Sequence, residues 1–263
     1  MTPAAAADPG EEEEFIMEQD FVGRVAIVTG GGSGIGEACA MLLAARGAKV
    51  LIADRHLDAA ERVAKEIGDS ALPYAVDVRD PVACEAMVQA AVQAFGRLDI
   101  AVNNAGIGGP QTPTGQYPLD GWADVIGVNL SGVFYSMRAE IPAMLATAGG
   151  SIINMASILG TVGFAQSVAY VAAKHGVVGM TKTAALEYAQ QGIRVNSVGP
   201  GFIDTPLLAV ADQEIIAGVS RLHPIGRMGH ATEVAELVAF LASDKASNTT
   251  GSYFLSDGGY TAQ

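Results

Sequence analysis

The stretch from Val25 to Gly36 reads Val-Ala-Ile-Val-Thr-Gly-Gly-Gly-Ser-Gly-Ile-Gly, an apolar run that breaks into a glycine-rich turn and resumes as a helical pattern. A continuous apolar run of this kind suits a strand covered on both faces. Glycines leave the following backbone bare of Cβ atoms, so its N–H groups approach an anion closely at a helix N-terminus. Gly30, Gly34 and Gly36 are spaced G-x-x-x-G-x-G, one residue longer at the front than the G-x-G-x-x-G dinucleotide fingerprint. With Ser33 and Ile35 they are the candidate phosphate cradle. A cradle at the first strand–helix junction constrains the chain to a β-α-β architecture.

The rest of the sequence agrees. Short β-rich runs at 25–29, 50–53, 72–76, 100–103, 151–155, 194–198 and 252–255 alternate with helical patterns at 36–46, 59–67, 82–95, 169–190 and 232–243. This alternation predicts a single-domain α/β fold, a Rossmann-type doubly wound parallel sheet of about seven strands with helices on both faces. No linker divides residues 21–263. Residues 1–20 carry seven acids and no base, too polar to offset their ordering entropy, and are expected to form a disordered acidic arm.

Composition narrows the function. With 15 basic against 28 acidic residues and a formal charge of −13, the chain lacks the basic clusters that nucleic acid or an anionic membrane surface requires. It has no apolar run of about 20 residues to span a bilayer. The N-terminus does not read as a secretory signal, and the expected location is the cytoplasm. Cys39 and Cys84 stand apart as expected free thiols, and His56, His175, His223 and His230 show no ligand spacing, so no metal site is expected.

Thr29-Gly30-x-x-x-Gly34-Ile35-Gly36 resembles the cofactor motif of the short-chain dehydrogenase/reductase family, and four further matches between Asp54 and Lys174 extend the resemblance over residues 21–263. It implies a nicotinamide dinucleotide cofactor. Asp54 closes the second strand, eighteen positions after Gly36, where a carboxylate accepts hydrogen bonds from the adenosine ribose hydroxyls and repels a 2′-phosphate. This favours NAD over NADP, although Arg55 beside it is a group that can pair with a 2′-phosphate. The resemblance further implies that Asp77 and Val78 flank the adenine and that Asn104, Ala105 and Gly106 let the backbone pass the cofactor. It also puts Pro200, Gly201, Ile203 and Thr205 beside the nicotinamide.

Tyr170 and Lys174 are four apart on a predicted helix and share one face. A phenol of pKa about 10 is a poor base at neutral pH, and a neighbouring ammonium is expected to lower it. Ser157 precedes Tyr170 by thirteen positions, where its hydroxyl can hold a substrate oxygen, and Asn129 resembles the helix asparagine that supports a proton relay in this family. The family commonly reads Tyr-x-Ala-Ser-Lys, where this chain has Tyr170-Val171-Ala172-Ala173-Lys174. The implied reaction is hydride transfer between the cofactor and a secondary alcohol or ketone, with Tyr170 as general acid/base.

By the same resemblance residues 107–109, 158–164 and 202–221 wall the substrate pocket. Ile158, Leu159, Phe164, Phe202, Leu207 and Leu208 make it apolar and Gln166 is the polar candidate, which favours a hydrophobic substrate over a sugar. Residues 207–221 are a candidate lid, and a homo-oligomer, a tetramer by resemblance, is expected. The alternatives are a 3-oxoacyl carrier-protein reductase, a sugar or hydroxysteroid dehydrogenase, and a catalytically idle NAD-binding sensor.

Overall fold

The computed structural model describes residues 19–206 and 218–262. Strands β1 (Val25–Thr29), β2 (Lys49–Asp54), β3 (Ala71–Ala75), β4 (Ile100–Asn103), β5 (Gly150–Met155), β6 (Ile193–Pro200) and β9 (Tyr253–Ser256) form one sheet in the order β3-β2-β1-β4-β5-β6-β9. Every pair in it is parallel. Two-residue strands β7 (Ile203–Asp204) and β8 (Gly229–His230) pair separately. The sequence pattern does not announce them. The helices are α1 (Gly34–Ala45), α2 (Leu57–Ile67), α3 (Pro81–Phe95), α4 (Leu119–Ile126), α5 (Gly132–Leu145), α6 (Val168–Tyr188) and α7 (Ala231–Ala242).

Alternation along the strands divides the core between two faces. Ala26, Val28, Val50 and Ile52 pack under α1, α2 and α7 with Leu43, Val63 and Val238. Ile27, Leu51, Ala101 and Ile152 point the other way, against Met87 of α3, Met137 of α5 and Val177 of α6. Buried apolar side chains on both faces are why these strands read as unbroken apolar runs. Local signals set the helix ends: Asp80 caps α3 by accepting from Val82 N at 2.8 Å, Pro81 follows at the first helical position, and Gly96 ends the helix at φ 88°.

Strand order reverses between β1 and β4, and this opens a crevice at their C-terminal ends. The expected strands and helices all occur there, with bounds shifted by one or two residues. Residues 1–18 of the expected acidic arm, and residues 207–217 of the expected lid, lie outside the described residues.

Candidate active site

The glycine turn is stapled to the end of β4. Gly30 and Gly34 take φ of +62° and +56°, conformations that glycine adopts without penalty. A Cβ on Gly36 would lie 2.5 Å from Asn104 Nδ2. That amide donates to Thr29 O at 3.0 Å and Gly30 O at 3.2 Å. In return Thr29 Oγ1 accepts from Asn104 N at 3.0 Å and Ala105 N at 3.1 Å. Gly36 therefore sits behind the turn, packed against it, while Gly30, Ser33, Gly34 and Ile35 line the crevice.

Asp54 is half-buried at the end of β2. Its Oδ2 accepts from Gly32 N at 3.1 Å and its Oδ1 from His56 N at 2.9 Å, which fixes the carboxylate against the turn. Arg55 lies beside His56, with Nη2 3.4 Å from the ring Nε2. Asp77 lines the adenosine end of the cavity and is held by a neighbouring cation. Arg79 grips it through Nε at 3.0 Å and Nη2 at 2.6 Å while also bonding Asp124 at 3.0 Å. The Arg79 guanidinium holds the Asp77 carboxyl below its ordinary range.

Ser157, Tyr170, Lys174 and Asn129 converge below the C-terminal ends of β4 and β5. Ser157 follows β5, its Oγ accepts from Leu159 N at 3.2 Å, and it lines the cavity with Tyr170. Tyr170 and Lys174 share a face of α6, with Nζ 5.5 Å from the phenol ring centre. Lys174 is buried, donates to Met155 O at 2.7 Å, and is pushed down to about 8 by desolvation. Burial likewise pushes the Tyr170 phenol up, with Ser157 acting in the opposite sense. Desolvation of the phenolate is the larger of the two effects on this phenol.

Asn129 lies in a π-helical turn, Gly127–Ser131, between α4 and α5. Such a turn inserts a residue into the helix and re-aims its side chains. Here Asn129 clips a single residue at both ends: Oδ1 accepts from Ile107 N at 2.8 Å, and Nδ2 donates to Ile107 O at 2.8 Å. A Cβ on Gly106 would be 3.4 Å from Asn129 Oδ1 and 3.8 Å from Lys174 Nζ, so the three residues meet at one point.

These groups surround a cavity of about 820 Å³. Asp54, Arg55, Asp77 and Val78 line one end, and Asn104, Ala105, Gly106, Pro200, Gly201, Ile203 and Thr205 its middle. Ile158, Leu159, Phe164 and Phe202 line the other end with Ser157 and Tyr170. Gln166 is not among the lining residues. Its backbone is left-handed at φ 67° and its carbonyl accepts from Thr112 N at 3.0 Å, which turns the loop and leaves the side chain exposed. Leu207 and Leu208 lie outside the described residues.

Three polar lining residues, His56 at the adenosine end and Gln111 and Ser167 at the other, went unpredicted. Ser167 stands three positions before Tyr170, a spacing that placed it on the same side of α6. Gln111 has no such signal, because the non-helical segment 104–113 positions it. Also unforeseen is buried His223, whose Nε2 accepts from Phe202 N at 3.1 Å. Its Nδ1 therefore carries the proton and donates to Val219 O at 2.9 Å. The imidazole props Phe202 edge-on at 5.7 Å, and Phe202 in turn meets Phe164 at 6.1 Å.

Comparison with known proteins agrees with this geometry. The family model described as Enoyl-(Acyl carrier protein) reductase matches residues 30–261. The chain is 50% identical to a cyclohexanol dehydrogenase of Acinetobacter sp. (strain SE19), covering 95% of this chain and 100% of that protein. It is 45% identical to a cis-4-hydroxycyclohexanecarboxylate dehydrogenase of Sinomonas cyclohexanicum, covering 94% and 100%. The crystal structure of a levodione reductase superposes with a TM-score of 0.89 at 37% identity, over 92% of this chain and 99% of that one. The chain belongs to the short-chain dehydrogenase/reductase family and is an oxidoreductase of the alcohol dehydrogenase and ketone reductase type.

Proposed function

We propose that this protein is an NAD-dependent dehydrogenase of an uncharged cyclic secondary alcohol. The observation that carries the proposal is the convergence of Ser157 and Tyr170, with buried Lys174 beside them, in the apolar end of the cavity. Ser157 and Tyr170 hold the alcohol oxygen, and Tyr170 takes its proton. Lys174, kept in place by Met155 O, stabilises the resulting phenolate. Asn129 fixes the Ile107 backbone at the pocket wall.

The bare turn at Gly30, Gly34 and Gly36 fits a pyrophosphate, and Asp54 fits the two ribose hydroxyls. Bound there, a nicotinamide dinucleotide supplies hydride transfer at the carbinol carbon. Asp54 supports NAD over NADP. Ile35, Val78, Ala105, Gly106, Pro200, Gly201, Ile203 and Thr205 present small or apolar surface along the same path, and Arg55 lines its adenosine end beside Asp54.

Charge supports an uncharged ring. Among the described residues Ile107, Gln111, Ile158, Leu159, Phe164, Ser167, Phe202 and Pro206 line the substrate end, with no base among them. A carboxylated ring would lose hydration there without gaining a counter-ion. The names of two relatives, cyclohexanol dehydrogenase and 4-hydroxycyclohexanecarboxylate dehydrogenase, span this choice, and the pocket favours the first. Reduction of NAD with cyclohexanol, with cis-4-hydroxycyclohexanecarboxylate and with glucose tests the reading. Cyclohexanol should give the highest kcat/KM, and a preference for the carboxylate would overturn it.

We also propose a homo-oligomer, in keeping with exposed Leu119, Trp122 and Phe134 on α4 and α5 and Leu186 on α6. A cytoplasmic setting accords with the free, buried Cys39 and Cys84. No described helix is long and apolar enough to cross a membrane.

A further inference from the structure

Ser157 is held through its backbone as well as its hydroxyl. Its carbonyl accepts from Gly160 N at 2.7 Å, closing the turn that follows β5, and accepts a second hydrogen bond from the Tyr253 hydroxyl. Tyr253 belongs to β9, paired with Ser197 of β6, and β6 lies between β9 and β5 in the sheet. The phenol therefore reaches across one whole strand to meet the end of the next. Gly199 of β6 makes this crossing feasible: a Cβ there would sit 2.6 Å from Cε2 and Cζ of the ring. A Cβ on Gly160 would lie 3.5 Å from the Tyr253 hydroxyl, so the tip of the phenol rests in the serine turn itself.

We propose that Tyr253 is a positioning residue for Ser157, tying the last strand of the sheet to the serine that faces Tyr170. Both lone pairs of the Ser157 carbonyl are occupied, one locally and one from a distant strand, which removes the freedom of the peptide to tilt. Tilting would swing Oγ away from Tyr170, because the extended Ser157 backbone (φ −176°, ψ 162°) carries the side chain directly. Burial pushes the Tyr253 phenol up to about 12, so it remains a donor throughout the working pH range. Preorganised placement of this kind acts on kcat, since a misplaced group costs up to about 10²-fold in rate.

The proposal rests on the reading of Ser157 as a catalytic residue, and Tyr253→Phe tests it. The variant keeps the ring over Gly199 and removes only the hydroxyl. With any secondary alcohol that the wild type oxidises, kcat should fall about tenfold while KM and the Kd for NADH stay within about twofold. Burial pushes the Tyr170 phenol up and Ser157 opposes that push, so loosening Ser157 should also move the acid limb of the kcat profile to higher pH. In a Ser157→Ala background the same change should have almost no effect on kcat.

Hydrogen exchange at the amides of Leu159 and Gly160 reads the tie without turnover and should quicken in Tyr253→Phe. Wild-type inactivity toward every alcohol tested would sink the catalytic reading, while unchanged exchange would sink the tie. Equal kcat losses in the Ser157 and Ser157→Ala backgrounds would show Tyr253 to be merely structural and overturn the proposal.

Discussion

Replacing Asp54 by asparagine removes a charge at the end of β2 while keeping the shape of the side chain and one of the two side-chain oxygens that accept from backbone N–H groups. Two unit charges about 4 Å apart at an effective dielectric of about 20 repel by about 4 kcal/mol. Asp54 is half-exposed, so solvent and salt reduce the repulsion of a 2′-phosphate to about 1–2 kcal/mol. That corresponds to a gain of about 5- to 30-fold in kcat/KM for NADP. On the NAD side the asparagine cannot accept from two hydroxyls while also serving Gly32 and His56. Loss of one charge-assisted hydrogen bond, about 1.5 kcal/mol or more, lowers kcat/KM for NAD about tenfold. The NAD-to-NADP preference should therefore narrow by about 10²-fold. The assay is the absorbance of reduced nicotinamide at varied cofactor and saturating alcohol. A ratio that moves by less than about threefold would refute the placement of Asp54 at the ribose, whatever happened to the absolute rates.

Tyr170→Phe should lose about 10²–10⁴ in kcat yet bind NADH with nearly unchanged affinity by fluorescence titration. Retained turnover would refute Tyr170 as the general acid/base. A third expectation concerns Glu140, which is fully buried on α5, accepts from Asn103 Nδ2 at 3.0 Å and is pushed up to about 8 by desolvation. The folded chain then keeps a proton that the unfolded chain releases above the ordinary carboxyl value of 4.5, so stability should fall as pH rises from about 4.5 to about 8. Glu140→Gln, which cannot ionise, should flatten that slope and raise Tm by a few degrees above pH 8 relative to wild type, with little change near pH 4.5. An identical pH slope in both proteins, followed by thermal unfolding, would disprove the assignment.

Much of the site was legible because its parts are local. The turn at Gly30–Gly36 needs left-handed dihedrals and bare backbone within a few residues, and Tyr170 and Lys174 share a face through helical geometry alone. Asp80, Pro81 and Gly96 likewise mark the ends of α3 from adjacent positions. Gln166 misled because a positive φ, invisible in a run of ordinary residues, turned its side chain away from the cavity.

By itself, then, the amino-acid order determined the alternation of strands and helices, the phosphate turn and the Tyr170–Lys174 pair. Each depends on periodicity or sterics that act within about one helical turn. Only the tertiary structure decided which groups those elements meet. Arg79 occupies Asp77, Asn129 clips Ile107, His223 props Phe202, and Tyr253 crosses over Gly199 to reach Ser157. Three of these contacts join residues 21 to 96 positions apart, and their existence depends on strand order, register and a π-helical turn. Asp77 and Arg79 are neighbours in sequence, yet the aim of the guanidinium was set by Asp124 on another element. Local chemistry specifies what each segment becomes; the crossovers of the sheet decide what it touches.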